Sequence, residues 1–175
     1  MPRNVEIKAT LDDVVATRAR AARLADGPAQ VLVQEDVFFR VPRGRLKLRS
    51  FPEGPAELIF YDRPDHEGPK TSDYRIEPVA DPVRLRAVLE LACGVRAVVR
   101  KRRELFLSGR TRIHLDQVEG LGDFLELEVV LGGGESTEDG EREARECLAA
   151  LDVDAAHLVA GAYVDLLEAR TGGTP

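Results

Sequence analysis

Between Thr111 and Leu131 the chain reads TRIHLDQVEGLGDFLELEVVL, in which Arg112, His114 and Asp116, and then Glu126 and Glu128, alternate with Ile113, Leu115, Leu125 and Leu127. A period of two is the mark of a β-strand, whose successive side chains point to opposite faces. Strands of this kind ordinarily turn their charges to water. The alternation recurs, however, along most of the chain: Glu6 with Lys8, Arg45 with Lys47 and Arg49, Tyr61 with Arg63, Asp73 with Arg75 and Glu77, and Lys101 with Arg103 each share one face of a strand. Charges of both signs on strand after strand set a second possibility beside the solvated face, a sheet closed around a charged interior. Such an interior suits a polyanion held together with metal ions.

The rest of the pattern shows how the sheet could close. Period-two runs over 2–9, 31–41, 45–51, 56–63, 72–79, 95–107, 110–118 and 123–131 give eight strands, most at hairpin spacing and separated by PRG, PEGP, DHEGPK and Ser-Gly turns. Helical spacing occupies 11–26, with Asp12 near its start and Gly27-Pro28 at its end. A second helix follows Asp81-Pro82 and closes at Gly94, and the GGGESTEDGE loop leads to helices over 141–151 and 154–170. The expected fold is α+β, an eight-stranded antiparallel β-barrel or tunnel with a charged interior. Eight strands leave room for side chains or one small ligand. The apolar strand faces would then point outward, under peripheral helices. Residues 1–170 form a single domain on this reading, and 171–175 a flexible tail.

Composition narrows the function. With 43% hydrophobic residues in 175, one core is affordable, and no apolar run approaches the roughly 20 residues needed to span a bilayer. The charged start MPRNVEIKATLDD is unlike a signal peptide, so the expected location is cytoplasmic, with no membrane partner. A net charge of -6 argues against a nucleic-acid partner, which calls for a basic footprint. The cations are concentrated all the same: Arg40, Arg43, Arg45, Lys47 and Arg49 follow one another without an acid, and 95–112 is similarly basic, whereas 119–168 is acidic. That distribution suggests a small anion held at one site. Cys93 and Cys147 lack metal-ligand spacing and read as small packing side chains.

Converging cations repel one another unless an anion joins them, by roughly 4 kcal/mol per pair about 4 Å apart at an effective dielectric near 20. Arginine grips phosphate oxygens with a fork and lysine offers a compact charge, so a mixed cluster suits a chain of phosphates. Carboxylates beside it would repel phosphate alone but make sense as ligands of Mg²⁺ or Mn²⁺. His114, with no second His at ligand spacing, reads as structural. Phe38, Phe39, Phe60, Tyr61 and Phe124 offer faces for a nucleobase, although strand aromatics more often fill a core. Gly132 to Gly134 lacks the order of a phosphate loop.

Several segments together resemble the CYTH superfamily, the triphosphate-tunnel proteins that include class IV adenylyl cyclases, thiamine triphosphatases and inorganic tripolyphosphatases. NVEIK at 4–8 is similar to an ExExK signature, QEDVFF at 34–39 to QxDxYF, RLKLR at 45–49 to the basic strand after it and VVRKRRELF at 98–106 to a KxR strand. TRIHLDQVEGLGDFLELE at 111–128 resembles the late RxxxDxVxxLGxFxExE block, the most specific match, and AYVDLL at 162–167 the closing SYxDLL helix. The resemblance implies metal binding by Glu6, Asp116, Glu126 and Glu128. It implies triphosphate binding by Lys8, Lys47, Arg49, Arg63, Lys101, Arg103 and Arg112, with Lys70 and Arg75 in a segment that only approximates the family pattern. The first acid of ExExK is Asn4 here. The implied activity is metal-dependent phosphoryl transfer on a triphosphate, either hydrolysis, with Lys8 as a candidate base, or cyclisation of ATP to cyclic AMP and pyrophosphate. A non-catalytic triphosphate-binding module is the third possibility, and a homodimer is plausible for the family.

Overall fold

The computed structural model describes residues 3–171. Its eight strands are β1 (Arg3–Thr10), β2 (Gln30–Phe39), β3 (Arg45–Ser50), β4 (Ala56–Asp62), β5 (Lys70–Val79), β6 (Val95–Ser108), β7 (Thr111–Val118) and β8 (Gly122–Leu131). They close into one barrel in the order β1-β5-β4-β3-β2-β6-β7-β8. All eight pairings are antiparallel. Register places opposite charges side by side: Lys8 faces Glu126, Arg49 faces Asp36, Arg103 faces Asp116 and Arg112 faces Glu128. Cross-strand pairs of opposite sign support a register, and a slip of one residue would send every one of these charges to the other face.

The apolar faces point outward, as the charged-interior reading requires. Val5, Ile7, Ala9, Ile113, Leu115, Leu125, Leu127 and Val129 are buried outside the barrel wall, against Ala21 of α1 (Val14–Leu24) and Ala144, Leu148 and Leu151 at α3 (Thr137–Ala150). Burying one Val, Leu or Ile contributes about 1.5–3 kcal/mol, so this outer layer is the stabilising core and leaves the lumen free to be polar. Gly140 lets α3 approach: a Cβ there would stand 2.8 Å from Leu131 Cδ2 and 2.9 Å from Val5 Cγ2. On another side α2 (Pro82–Cys93) sets Leu85 and Leu89 over Val37, Phe39 and Leu48. Asp81 caps it through the Arg84 N–H, and Gly94 ends it at φ 75°, a conformation that favours glycine. Among the described residues no helix is long and apolar enough to cross a membrane. Both cysteines are free and half-buried.

Three expectations change at the helices. Asp13, not Asp12, caps α1. Helix α3 starts within the expected loop, because Ser136 accepts from Asp139 N–H and Glu138 and Asp139 then sit at the positive end of the helix dipole. The single helix expected over 154–170 is interrupted. Asp154 caps only a short 3-10 turn, Ala155–His157, and the helix proper, α4, spans Tyr163–Thr171. Between them the chain crosses one end of the barrel: Leu158 bridges to Ala9, and Val159 N–H donates to Lys8 O at 2.9 Å. These tertiary bonds win over helix propensity. Of the expected tail, Thr171 ends α4 and 172–175 lie outside the described residues.

Candidate functional site

Two strands carry a Lys-x-Arg pair into the lumen, and each pair is anchored by a buried aspartate on the adjacent strand. On β3, Arg49 donates two bonds to Asp36 of β2, both 2.8 Å, and Lys47 a third at 2.9 Å. On β6, Arg103 donates two bonds of 2.6 Å to Asp116 of β7, with Lys101 at 3.3 Å. Burial alone would raise the Asp36 carboxyl, but Arg49 and Lys47 outweigh it and hold the group well below its ordinary range. Asp116 is lowered for the same reason, burial being overcome by Arg103 and Lys101. The lysines pay for this crowding: burial, then Arg49, lower Lys47, while burial and the neighbouring Arg103 push Lys101 down to about 7.

Carboxylates gather on the adjoining wall. Glu126 lies 2.5 Å from Lys8 Nζ and 3.3 Å from Arg103, and Glu128 lies 3.6 Å from Arg112. Glu6, two residues from Lys8 and in register with Glu128, meets Arg63 at 3.3 Å. That contact is too poorly aligned to be a hydrogen bond, and the buried Nε and Nη1 donors of Arg63 have no partners among the described residues. Burial raises the Glu6 carboxyl; Arg63 offsets part of the rise, and the Glu126 and Glu128 charges add to it. A divalent cation would relieve that repulsion, so the donor set fits one. His114 Nδ1 stands between Glu126 and Glu128, with one ligand atom from each of the three lying within 4.8 Å of the others.

Tyr163 closes the far end. It donates its hydroxyl to Asp116 at 2.8 Å, its ring packs edge-on against Phe124 with centroids 5.1 Å apart, and Lys8 Nζ sits 4.1 Å above it. The space left is a cavity of about 110 Å³, room for several waters or a small anion.

Most of the expected residues meet here. Glu6, Lys8, Lys47, Arg49, Arg63, Lys101, Arg103, Arg112, Glu126 and Glu128 all line this one cavity. Three take other places. Asp116 lies behind the wall with its side chain fully buried, its oxygens engaged by Arg103, Lys101 and Tyr163, which makes it an anchor for cations and not an available metal ligand. Lys70, 2% exposed, spends its ammonium on the carbonyls of His66, Val159 and Ala160 and so ties down the segment crossing the barrel end. Arg75 is exposed on the outer face with Glu77, because Ser72, Tyr74 and Ile76 take the inward positions of β5. Asp36 and Tyr163 were not among the expected site residues. Asp36 stood within QEDVFF, on the same strand face as Phe38 and paired across the β2–β3 hairpin with Arg49, a signal that only the register makes readable.

The sequence matches a known family. A CYTH domain profile covers residues 2–163. The chain belongs to the CYTH family. Among relatives of this CYTH protein, MJ0240 of Methanocaldococcus jannaschii, named as a candidate adenylate cyclase, is 26% identical over 172 residues, spanning 93% of this chain and 97% of the relative. The PH1012 protein of Pyrococcus horikoshii OT3 shares the fold with a TM-score of 0.83 at 22% identity, covering 93% of this chain and 98% of that one. HpAC1 from Hippeastrum, a candidate adenylyl cyclase described as having a dominant triphosphatase activity, superimposes with a TM-score of 0.63 at 15% identity, over 98% of this chain and 97% of its own.

Proposed function

We propose that this CYTH protein hydrolyses the terminal phosphoanhydride of a small triphosphate, with Mg²⁺ or Mn²⁺ as cofactor. One observation carries the reading: seven basic side chains (Lys8, Lys47, Arg49, Arg63, Lys101, Arg103 and Arg112) line a chamber with four carboxylates, and Asp116 behind its wall brings the number to five. The surplus positive charge, enclosed and largely desolvated, calls for a compact polyanion. Lys47, Arg49, Lys101 and Arg103 would grip the phosphate chain from the continuous wall formed by β3, β2, β6 and β7, held in place by Asp36 and Asp116. The unpartnered donors of Arg63 would complete a further phosphate oxygen's contacts. A divalent ion held by Glu6, Glu126 and Glu128 would supply charge neutralisation and an acidified water. Lys8, 2.5 Å from Glu126, orients that carboxylate. The amine whose charge is poised near neutrality is that of Lys101, and anionic phosphates would draw a proton onto it.

The aromatic faces favour hydrolysis over cyclisation. A cyclase must also hold a nucleobase, yet Lys47 sits 5.5 Å over Phe38 and 5.6 Å over Tyr61, and Lys8 covers Tyr163. Phe124 packs on Tyr163, and Phe39 lies in the outer core under α2. Incubation with tripolyphosphate, thiamine triphosphate and ATP, each with Mg²⁺ or Mn²⁺, separates the readings. Phosphate release, fastest from tripolyphosphate, is expected. Cyclic AMP with pyrophosphate would replace hydrolysis by the cyclase reaction suggested by the relatives' names, and binding without turnover would reduce the protein to a triphosphate-binding module.

A further inference from the structure

We infer that His114 is a direct nitrogen ligand of the divalent ion, so that this tunnel holds a histidine-plus-carboxylate centre that prefers Mn²⁺ and other first-row transition ions to Mg²⁺. The inference rests on the reading of Glu126 and Glu128 as metal ligands and adds to it a residue and a selectivity.

The imidazole is 3% exposed, and its Nδ1 is buried with no hydrogen-bond partner among the described residues. A buried polar atom left so is costly and uncommon, and it asks for an explanation. The atom points between two carboxylates, 3.8 Å from Glu126 Oε1 and 3.9 Å from Glu128 Oε1. Those separations are too long for hydrogen bonds. They do fit ligands of a shared ion, since two atoms each roughly 2.0–2.2 Å from a metal stand about 3 Å apart at right angles and about 4 Å apart across it. Neighbouring strands fix the arrangement: His114 is the register partner of Glu126, and Arg112, also facing the lumen, is that of Glu128.

Asn4 gives the substitution its meaning. It lines the same cavity with its side chain 4% exposed, at the position where the resemblance calls for a first carboxylate, and its Oδ1 is also unpartnered. The donor set of this chain has therefore lost one anionic oxygen there and can gain a neutral nitrogen at His114. Mg²⁺ favours oxygen and keeps its waters, whereas imidazole suits transition ions. A site with one imidazole among carboxylates accordingly moves its preference from Mg²⁺ toward Mn²⁺ and its heavier neighbours.

Electron spin-echo envelope modulation on the Mn²⁺-loaded protein, without substrate, tests this directly. The wild type is expected to show the modulation of a directly bound ¹⁴N, and uniform ¹⁵N-histidine labelling is expected to remove it. His66 and His157 lie away from the lumen, at an exposed loop and beside Thr10, so neither can supply the signal. In His114→Gln the modulation should vanish and Mn²⁺ affinity should fall roughly tenfold or more, while Mg²⁺ affinity changes little. Mn²⁺ bound with no ¹⁴N coupling overturns the role of His114 and leaves the carboxylate site standing. No binding of Mn²⁺ at all overturns both. Should His114→Gln fail to fold, the labelled and unlabelled wild-type spectra decide alone.

Discussion

Glu128→Gln is expected to lower metal-dependent phosphate release by roughly a hundred- to a thousandfold, since a metal's transition-state stabilisation is worth several kcal/mol and each 1.4 kcal/mol is a factor of ten. The barrel should survive. Glu128 approaches Arg112 at 3.6 Å and His114 Nδ1 at 3.9 Å, and that arginine is 46% exposed and can turn to water. Glu126→Gln is a less clean probe: it takes the partner from Lys8, whose side chain is 5% exposed, and removing one member of a buried pair costs about 3–5 kcal/mol. Phosphate release and thermal unfolding measured on both variants check the distinction. Turnover unchanged in Glu128→Gln, with the fold intact, would remove Glu128 from the metal site.

Lys101→Met should weaken tripolyphosphate binding by roughly ten- to a hundredfold, the loss of a charge-assisted hydrogen bond worth about 1.5–3 kcal/mol. It keeps the site assembled, because Arg103 and Tyr163 still hold Asp116. The pH dependence identifies the lysine. Its folded value of about 7 lies below the ordinary 10.5, so between these limits the free folded protein binds fewer protons than the unfolded chain. Stability from this group is present at alkaline pH and is lost as pH falls toward 7. Phosphates raise the value again, so binding takes up a proton, and affinity should fall by up to about tenfold per pH unit from about pH 7.5 to 9. Calorimetric titrations across that range should show the slope in the wild type and its loss in Lys101→Met. An equal slope in both would place the titrating group elsewhere.

Much of this molecule was legible because period-two charge patterns survive folding unchanged. Arg112, Glu126 and Glu128, Lys47 and Arg49, and Lys101 and Arg103 all face the lumen as the alternation implied. Periodicity cannot by itself tell inside from outside, and β5 shows it. Asp73, Arg75 and Glu77 alternate as the other charged sets do, but the strand's phase is set by its neighbours: Ser72 pairs with Asn4, and Tyr74 with Tyr61, all facing the lumen. The β5 charges consequently face outward. The roles of Asp116 and Asp36 depend on which atoms reach an aspartate across a strand boundary, which no linear pattern encodes. Tyr163 was hidden for another reason, since its helix begins only after the chain has bonded across the barrel end at Leu158 and Val159. His114 reads as structural when it is met as a lone histidine, and the inference that it binds metal draws on its unpartnered Nδ1 and its place between Glu126 and Glu128, neither of which the sequence displays.

The central claim is that the lumen, with its two aspartate-anchored Lys-x-Arg pairs, is where a triphosphate lies. A crystal structure with tripolyphosphate tests it most directly. The account predicts the phosphorus chain inside the barrel, within hydrogen-bond reach of Lys47, Arg49, Lys101 and Arg103. Tripolyphosphate bound only on the outer surface, at Arg100 or Arg102, with the lumen filled by water, would contradict it.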